Sequence, residues 1–507
     1  MTTRHFASAL GALALMASSA FAVNITVAPA TGTLGLNPTT TIADALAQIN
    51  AAPIGSHTVT LRSTEGNHSQ PDNTTWTVSA EHDVSFVAES GRPIVQINHA
   101  AGQYMLIVSA QASADVTFNG LGFIPENDLG YTNNVADGIS LAGTGAASNF
   151  TFIDCIFAAN DGSGGLSSLD GSAPFVQPTG APSPSVGGRN VGDDWIQLNK
   201  AGSDLTVSNC VVTGCNDDGI LSLGGAGSII TINQGTVVAN IGGGGYQNAA
   251  DNETIVIDGS GGRVLFANCG LRTAVSSAAD TGPKCFGDLG VSFTMSQADV
   301  CNATNGGIFF FGAVPSITIS DSRIALNNSS NTNTAANLAI DDITGTGGAV
   351  NQIVNLSRVT VHDTLATTNS DSIFGGEGVN DGRQTYTIID SIFSGAGDRF
   401  TNMTNSTASG GPSPAPAVTF SAIVLNGPHG ILPANVGDLG SAVAPLPNDP
   451  NYVSLTYTIG RSQSNPSFLL PQNPPYATAN STSGPLVGGS PGTFVSLPME
   501  LSILSTN

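Results

Sequence analysis

Four phrases of this chain repeat one another: GISLAGTGAASNFTFIDCIFAAN from Gly138, WIQLNKAGSDLTVSNCVVTGCNDD from Trp195, GILSLGGAGSIITINQGTVVAN from Gly219 and GIFFFGAVPSITISDSRIALN from Gly307. Each holds a short apolar strand, a Gly-containing turn, a second alternating strand, a polar corner and a third short strand. The closing residue is often Asn or Asp. Phrase length is about 22 to 25 residues, a period that belongs to solenoids. Weaker copies precede these (HTVTLRS, HDVSFVAE, ADVTFNGLGF) and follow them (NQIVNLSRVTVHD, QTYTIIDSIFSG, AVTFSAIVLNG). Val, Ile, Leu and Phe alternate with Ser, Thr and Asn at period two, so each strand has an apolar inner side and a polar outer side. Aromatics are only 6 % of the chain, which predicts a narrow interior of stacked aliphatic side chains.

An antiparallel β-sandwich array would explain the strands but not the constant place of the corner residues. The repeat grammar resembles the right-handed parallel β-helix, the pectin-lyase-like architecture, over roughly residues 40 to 425. The stretch TIADALAQINAA, Thr41 to Ala52, is similar to that family's N-terminal cap helix, which would cover an end whose backbone invites edge pairing. The resemblance implies an all-β fold, a single-stranded β-helix solenoid over residues 23–425 with an N-terminal cap helix. The Gly/Ser/Pro-rich stretch 161–190 is expected as an inserted loop. Residues 426–507 are expected as an irregular C-terminal cap or small β appendage.

Residues 1–22 read as a signal peptide: Arg4 and His5, the apolar run LGALALM, then Ala20-Phe21-Ala22 as an A-x-A cleavage site. The apolar run is shorter than the ~20 residues of a spanning helix, so a secreted, extracellular chain with no membrane span is expected. The formal charge is −23, and Lys200 and Lys284 are the only lysines. Without a polybasic patch there is no nucleic-acid partner to expect. Six cysteines in an exported chain permit disulfides. Cys155 and Cys210 hold the same place in successive phrases, so stacking would put them about 4.8 Å apart, either as a disulfide or as buried free thiols. Cys285 and Cys301 could close a loop.

The chemistry concentrates at one point of the repeat. Asp137 (VADGISL), Asp193 and Asp194 (VGDDWIQL), and Asp217 and Asp218 (CNDDGILSL) precede the first strand of three successive coils. Stacked at about 4.8 Å per coil they form a carboxylate ladder. Crowded like charges raise at least one pKa and can place a protonated acid beside an ionised base. Three uses fit: glycoside hydrolysis, polar corners whose carboxylates accept backbone N–H bonds, and calcium binding by hard oxygen ligands, with Asp217 the candidate metal ligand beside Asn133, Asn134 and Asn216.

These residues also resemble the glycoside hydrolase family 28 polygalacturonases, whose coils carry an NTDG-like Asp, then a DD pair, then an HG. VADGI stands for the first and GDDWIQL for the second, while NDDGILSLGG stands where the HG coil is expected. The resemblance implies Asp194 as general acid, with Asp137 and Asp193 activating water. Trp195 could stack on a sugar ring or open an apolar strand from the core. A calcium-assisted, pectate-lyase-like elimination would use Lys200 or Arg189, the nearby cations. The chain is thus expected to act on or bind polysaccharide. It would do so as a hydrolase using Asp137, Asp193, Asp194 and Asp218, as a non-catalytic glycan-binding or surface solenoid, or as a calcium-dependent lyase. Low Lys/Arg content disfavours a polyanionic substrate.

Overall fold

The computed structural model describes residues 22–425 apart from 30–40, 98–103, 126–136, 160–192, 271–281, 328–335, 341–351, 364–370, 376–383, 402–416 and a few shorter breaks. The leader, the inserted stretch 161–190 and the segment 426–507 lie outside the described residues. The chain coils through three parallel sheets of 13, 11 and 12 strands, each sheet taking every third strand as the coil advances. This is the parallel β-helix expected from the repeat. A right-handed turn is the sense that parallel crossovers take. The first sheet carries alternating strands such as Asp204–Ser208, the third carries the strands that close each phrase, such as Val211–Cys215, and the second carries the strands that open it, such as Ile196–Leu198. Among the described residues no helix is long and apolar enough to cross a membrane.

Register is set by side-chain identity. Leu205 pairs with Ile230 and Ile230 with Ile255, and these inward residues are fully buried while the Thr between them faces out. A slip of one residue would turn every apolar side chain outward. In the N-terminal coils aromatic ladders run among the buried aliphatic side chains. Phe86, Phe118 and Phe152 stack with ring centroids 5.0 and 4.8 Å apart, and Phe123 stacks on Phe157 at 5.0 Å. The coil repeat of about 4.8 Å matches the spacing of offset-stacked rings, so identical aromatics in successive coils pack without strain.

The cap helix spans Ile42–Asn50. Thr41 accepts the Asp44 amide and Asp44 accepts the Thr41 amide, a reciprocal cap, and Ile42, Ala45, Leu46 and Ile49 turn into the core. Its last residue, Asn50, bonds Thr77 O at 2.8 Å and the Ser79 amide at 2.9 Å, fixing the helix to the open end of the second sheet.

Between the first and third sheets the chain in most coils turns on a left-handed residue: Asp154, Asn209, Gln234, Gln297, Asp321 and Arg358 have φ between 48° and 55°. The residue after this turn accepts an amide from the coil before it. Cys210 Sγ takes the Cys155 amide at 3.3 Å, Thr236 Oγ1 takes the Cys210 amide at 3.2 Å, and Ser322 Oγ takes the Ala298 amide at 3.2 Å. Cys210 is therefore a corner acceptor like Thr236 and Ser322. All six cysteines are free and buried, so of the two readings the thiol ladder holds at Cys155 and Cys210. Cys285 packs inside the coil and Cys301 in a separate apolar cluster on the third sheet, so the loop closure expected of that pair does not form.

Candidate active site

The second sheet places the acids. Ile139 pairs with Ile196 and Ile196 with Ile220, so the residues two places earlier, Asp137, Asp194 and Asp218, fall in one column. Asp193 and Asp217 fall beside it. Backbone amides carry the ladder through the corner: Gly138 N donates to Asp194 O at 2.7 Å, Trp195 N to Asp218 O at 3.2 Å and Asp217 N to Asp193 O at 3.3 Å. One oxygen each of Asp194 and Asp218 serves as a corner acceptor, Asp194 Oδ1 from the Asp218 amide at 2.8 Å and Asp218 Oδ1 from the Gly244 amide at 2.6 Å. The polar-corner role foreseen from the repeat is thus real for these two, while Asp137 and Asp193 hydrogen-bond within the column. Carboxylate oxygens of Asp137, Asp193 and Asp194 lie within 4.8 Å of one another, as do those of Asp194, Asp217 and Asp218.

In the next coil the acids give way to glycine. Ile220 pairs with Tyr246, which puts Gly243 and Gly244 where Asp217 and Asp218 stood. A Cβ on Gly243 would collide with the Asp217 carboxylate, and one on Gly244 would come within 2.6 Å of Lys284 Cε. The vacated space admits Lys284, from strand Pro283–Cys285 one coil further on, whose Nζ lies 2.8 Å from Asp218 Oδ1 with both side chains 4 % exposed.

Five crowded carboxylates with one ammonium leave an excess of negative charge, and the protonation equilibria reflect it. Burial first, and the charge of Asp217, raise Asp137 to about 7 against the hydrogen bonds it accepts. Burial, then Asp217 and Asp137, raise Asp193 to about 8. Asp194 is pushed well above the carboxylate range by burial and by Asp218. Burial raises Asp218 less, to about 6, because Lys284 pulls the other way. Near neutral pH the column holds protonated and ionised carboxyls side by side. Its donor set is all hard oxygen, and its oxygens converge closely enough to share one cation at the 2.3–2.6 Å typical of calcium.

The structure brings Asp137, Asp193, Asp194, Asp217 and Asp218 together and removes two other expected residues. Trp195 is fully buried, edge-on to Phe157, with Nε1 donating to Thr213 O at 2.7 Å. It is core and offers no face to a sugar. Lys200 is buried elsewhere on the coil, its Nζ on Ala110 O at 2.9 Å, Gln111 O at 3.2 Å and Ser148 Oγ at 2.6 Å. It is a corner clamp rather than a substrate-binding group. Arg189, Asn133, Asn134 and Asn216 lie outside the described residues. Lys284 was missed although it is one of two lysines. The run Gly242 to Gly245, four glycines at a corner otherwise held by Asp, was the available sign that something else enters there.

No protein-family model matches the sequence, and no curated protein matches it. Among solved structures the chain is similar to the pectate lyase Pel9A, at 13 % identity over 93 % of this chain and 96 % of that one, with a TM-score of 0.37. It is similar to the Dettilon tailspike protein at 13 % identity over 83 % of this chain and 66 % of that one, TM-score 0.38. It is also similar to the catalytic domain of a GH87 α-1,3-glucanase, at 10 % identity over 82 % and 69 % of the two chains, TM-score 0.34.

Proposed function

We propose that the protein cleaves an extracellular polysaccharide as a glycoside hydrolase, with its chemistry at the Asp column. The observation that carries this reading is the pair Asp193 and Asp217, two half-exposed carboxyls one coil apart and hydrogen-bonded to each other in front of the buried Asp194 and Asp218. Asp193, protonated up to about pH 8, donates to the glycosidic oxygen as the bond to the anomeric carbon breaks. An oxygen of Asp217 attacks the anomeric carbon to form a glycosyl ester as the leaving group takes the proton of Asp193, and water then releases the sugar with Asp193 as base. Their backbones stand one coil apart, about 4.8 Å, so a substrate that parts the hydrogen-bonded carboxyls would bring them toward the ~5–5.5 Å of retaining glycosidases. The general-acid role inferred by resemblance for Asp194 moves to Asp193, because Asp194 is buried with one oxygen tied to the Asp218 amide. Asp194 and Asp137 hold the pair in a field that favours the proton, and Lys284 favours an ionised Asp218.

A second reading rests on the convergent oxygens: Asp137, Asp193 and Asp194 would hold calcium for an elimination. Such an ion would neutralise the uronate carboxylate and the charge that develops beside it. The test follows reducing ends and unsaturated uronate absorbance together on neutral and uronic-acid polysaccharides, with calcium or chelator, in the wild type and in Asp193→Asn. Reducing ends without unsaturation, lost in the variant, are expected. Unsaturation that requires calcium would transfer the site to the second reading. Intact polymer across the panel would sink both.

A further inference from the structure

The outer faces of the first and third sheets meet different surroundings. On the third sheet the residues that alternate with the inward Phe157, Val212, Val238 and Phe266 point away from the coil. Register arranges them in two columns. One runs Ile156, Val211, Val237 and Leu265, and beside it run Ala239, Ala267, Cys301 and Ala325. All eight are at most 2 % exposed. On the first sheet the outward Ile229 and Ile353 are 43 % and 49 % exposed. Outward apolar side chains without solvent contact mean that a further layer lies on the third sheet, as on any sheet buried on both faces.

Among the described elements none supplies that layer. The strands of the third sheet pack chiefly on one another and on the second-sheet strands that follow them in the chain. Corner connections do not supply it throughout. After Val211–Cys215 and after Val237–Ile241 the chain passes straight into Ile220–Ser222 and Tyr246–Asn248, and the connections 216–219 and 242–245 are too short to fold back over the face. Burial nevertheless continues from Ile124 to Ser394, across nine strands of the sheet. At ~4.8 Å per coil that is about 40 Å, so the cover runs along the solenoid axis.

We propose that the outer face of the third sheet is the docking surface for the chain's own segment 426–507, with the run VSLTYTI from Val453 seated over the column of small side chains. The last described strand, Val424–Leu425, is the edge of this same sheet, so the segment starts at one end of the face it covers. About 12 extended residues span the face at ~3.3 Å each, well within its length. Val453, Leu455, Tyr457 and Ile459 place an apolar side chain at every second residue, which gives the run one apolar side to lay on the sheet. The stretch 161–190 is a poorer occupant: both its ends are tied to one coil, and its composition is Gly, Ser and Pro with few large apolar residues. An apolar strip of this length left bare would draw the protein into association. The segment closes it and leaves the second sheet, with its Asp column, as the working face.

Two measurements on the full chain test this. Cys301 is the one cysteine on the face, the other five being packed inside the coil. Under native conditions it should resist a maleimide in the wild type. In the triple variant Val453→Ser, Leu455→Ser and Tyr457→Ser its labelling should quicken at least tenfold while the other five thiols stay unlabelled. Separately, Leu265→p-benzoylphenylalanine in an otherwise wild-type chain is irradiated and the cross-linked peptides are identified by mass spectrometry. Cross-links into 426–507 are expected. Cross-links confined to 161–190, to another corner connection or to a second copy of the chain would overturn the proposal, as would equal labelling of Cys301 in the wild type and the triple variant. If the triple variant labels at all six cysteines, as an unfolded coil does, the cross-link alone decides.

Discussion

Two columns of buried ionisable side chains run along this solenoid, and they are built on opposite principles. On the third sheet Asp299 lies between Arg263 and Arg323, all three essentially without solvent contact. Arg263 Nη2 reaches Asp299 Oδ1 at 2.6 Å and Arg323 Nε reaches it at 2.7 Å. Burial alone would push the Asp299 carboxyl up, yet the two guanidiniums hold it below its ordinary value. On the second sheet five carboxyls share a single ammonium, and four of them are driven up. In the first column the acid is held ionised by the protein's own residues, two guanidiniums to one carboxylate. The second is balanced only by protons or by something that arrives from outside, which is the usual mark of a working site.

Removing the acid separates the two most sharply. Asp299→Asn leaves two buried guanidiniums without a counter-ion, and a loss of about 3–5 kcal/mol in urea unfolding is expected. Asp194→Asn removes an acid whose ionisation burial and its neighbours oppose, while the amide oxygen can still accept the Asp218 N–H. Its stability at pH 8 should equal or exceed that of the wild type. Equal destabilisation by the two substitutions would erase the distinction.

Calcium sharpens the comparison next. If the convergent oxygens bind it, calcium at a hundredfold its dissociation constant stabilises the fold by about 2.7 kcal/mol. The gain should appear at pH 8, shrink at pH 5 where the carboxyls are protonated, and vanish in Asp193→Asn; Asp299 variants should keep it. A gain that is independent of pH would place the ion elsewhere.

The same logic fixes a pH profile without added metal. Asp137 and Asp193 have folded-state values of about 7 and about 8, above the ordinary carboxylate, so the folded protein binds more protons than the unfolded one. Their stabilising contribution is complete below about pH 4. It is lost progressively as pH rises from there to about 8, the share of Asp218 being spent first, by about 6. Asp299 works in the reverse sense, its contribution present above the ordinary carboxylate value and lost toward strong acid. Melting temperature followed from pH 3 to 9 should therefore fall across neutrality, and the fall should flatten in Asp193→Asn. A flat wild-type profile from pH 5 to 9 would remove the frustrated column.

Much of this was readable from the residues. The repeat fixed the coil, Thr41 and Asp44 marked the cap helix, and the phrases VADGI, GDDW and NDDG stacked as their positions implied. What escaped depends on which wall a side chain enters. Trp195 sits at the corner before its strand, where inward or outward is decided by backbone turning and not by period-two alternation, so it reads as either core or platform. Lys200 lies past the other end of the same strand and reaches a different corner from the acids, although five residues along the chain from Trp195 looked near. Lys284 comes to Asp218 from two coils away, across the stretch 271–281 that interrupts the repeat, and no phrase comparison aligns it. Cys210 read equally as half of a disulfide or as a buried thiol because its neighbour in the stack was another cysteine, and its corner role, shared with Thr236 and Ser322, was not visible.

The smallest effect probes the space that lets Lys284 in. Gly244→Ala sets a methyl 2.6 Å from Lys284 Cε and 3.0 Å from Asp218 Oδ1, both in a buried site. The lysine is a flexible chain, so the relief is its withdrawal at a cost of about 1–3 kcal/mol for overpacking. Withdrawal leaves Asp218 without its ammonium and raises its pKa toward those of Asp137 and Asp193. The observable is a shift rather than a loss: the component of the melting profile near pH 6 should move upward, and Lys284→Met should reproduce that movement without the steric penalty. If Lys284→Met leaves the profile in place, the single cation of the second column does not tune it, and the two columns differ in charge count alone.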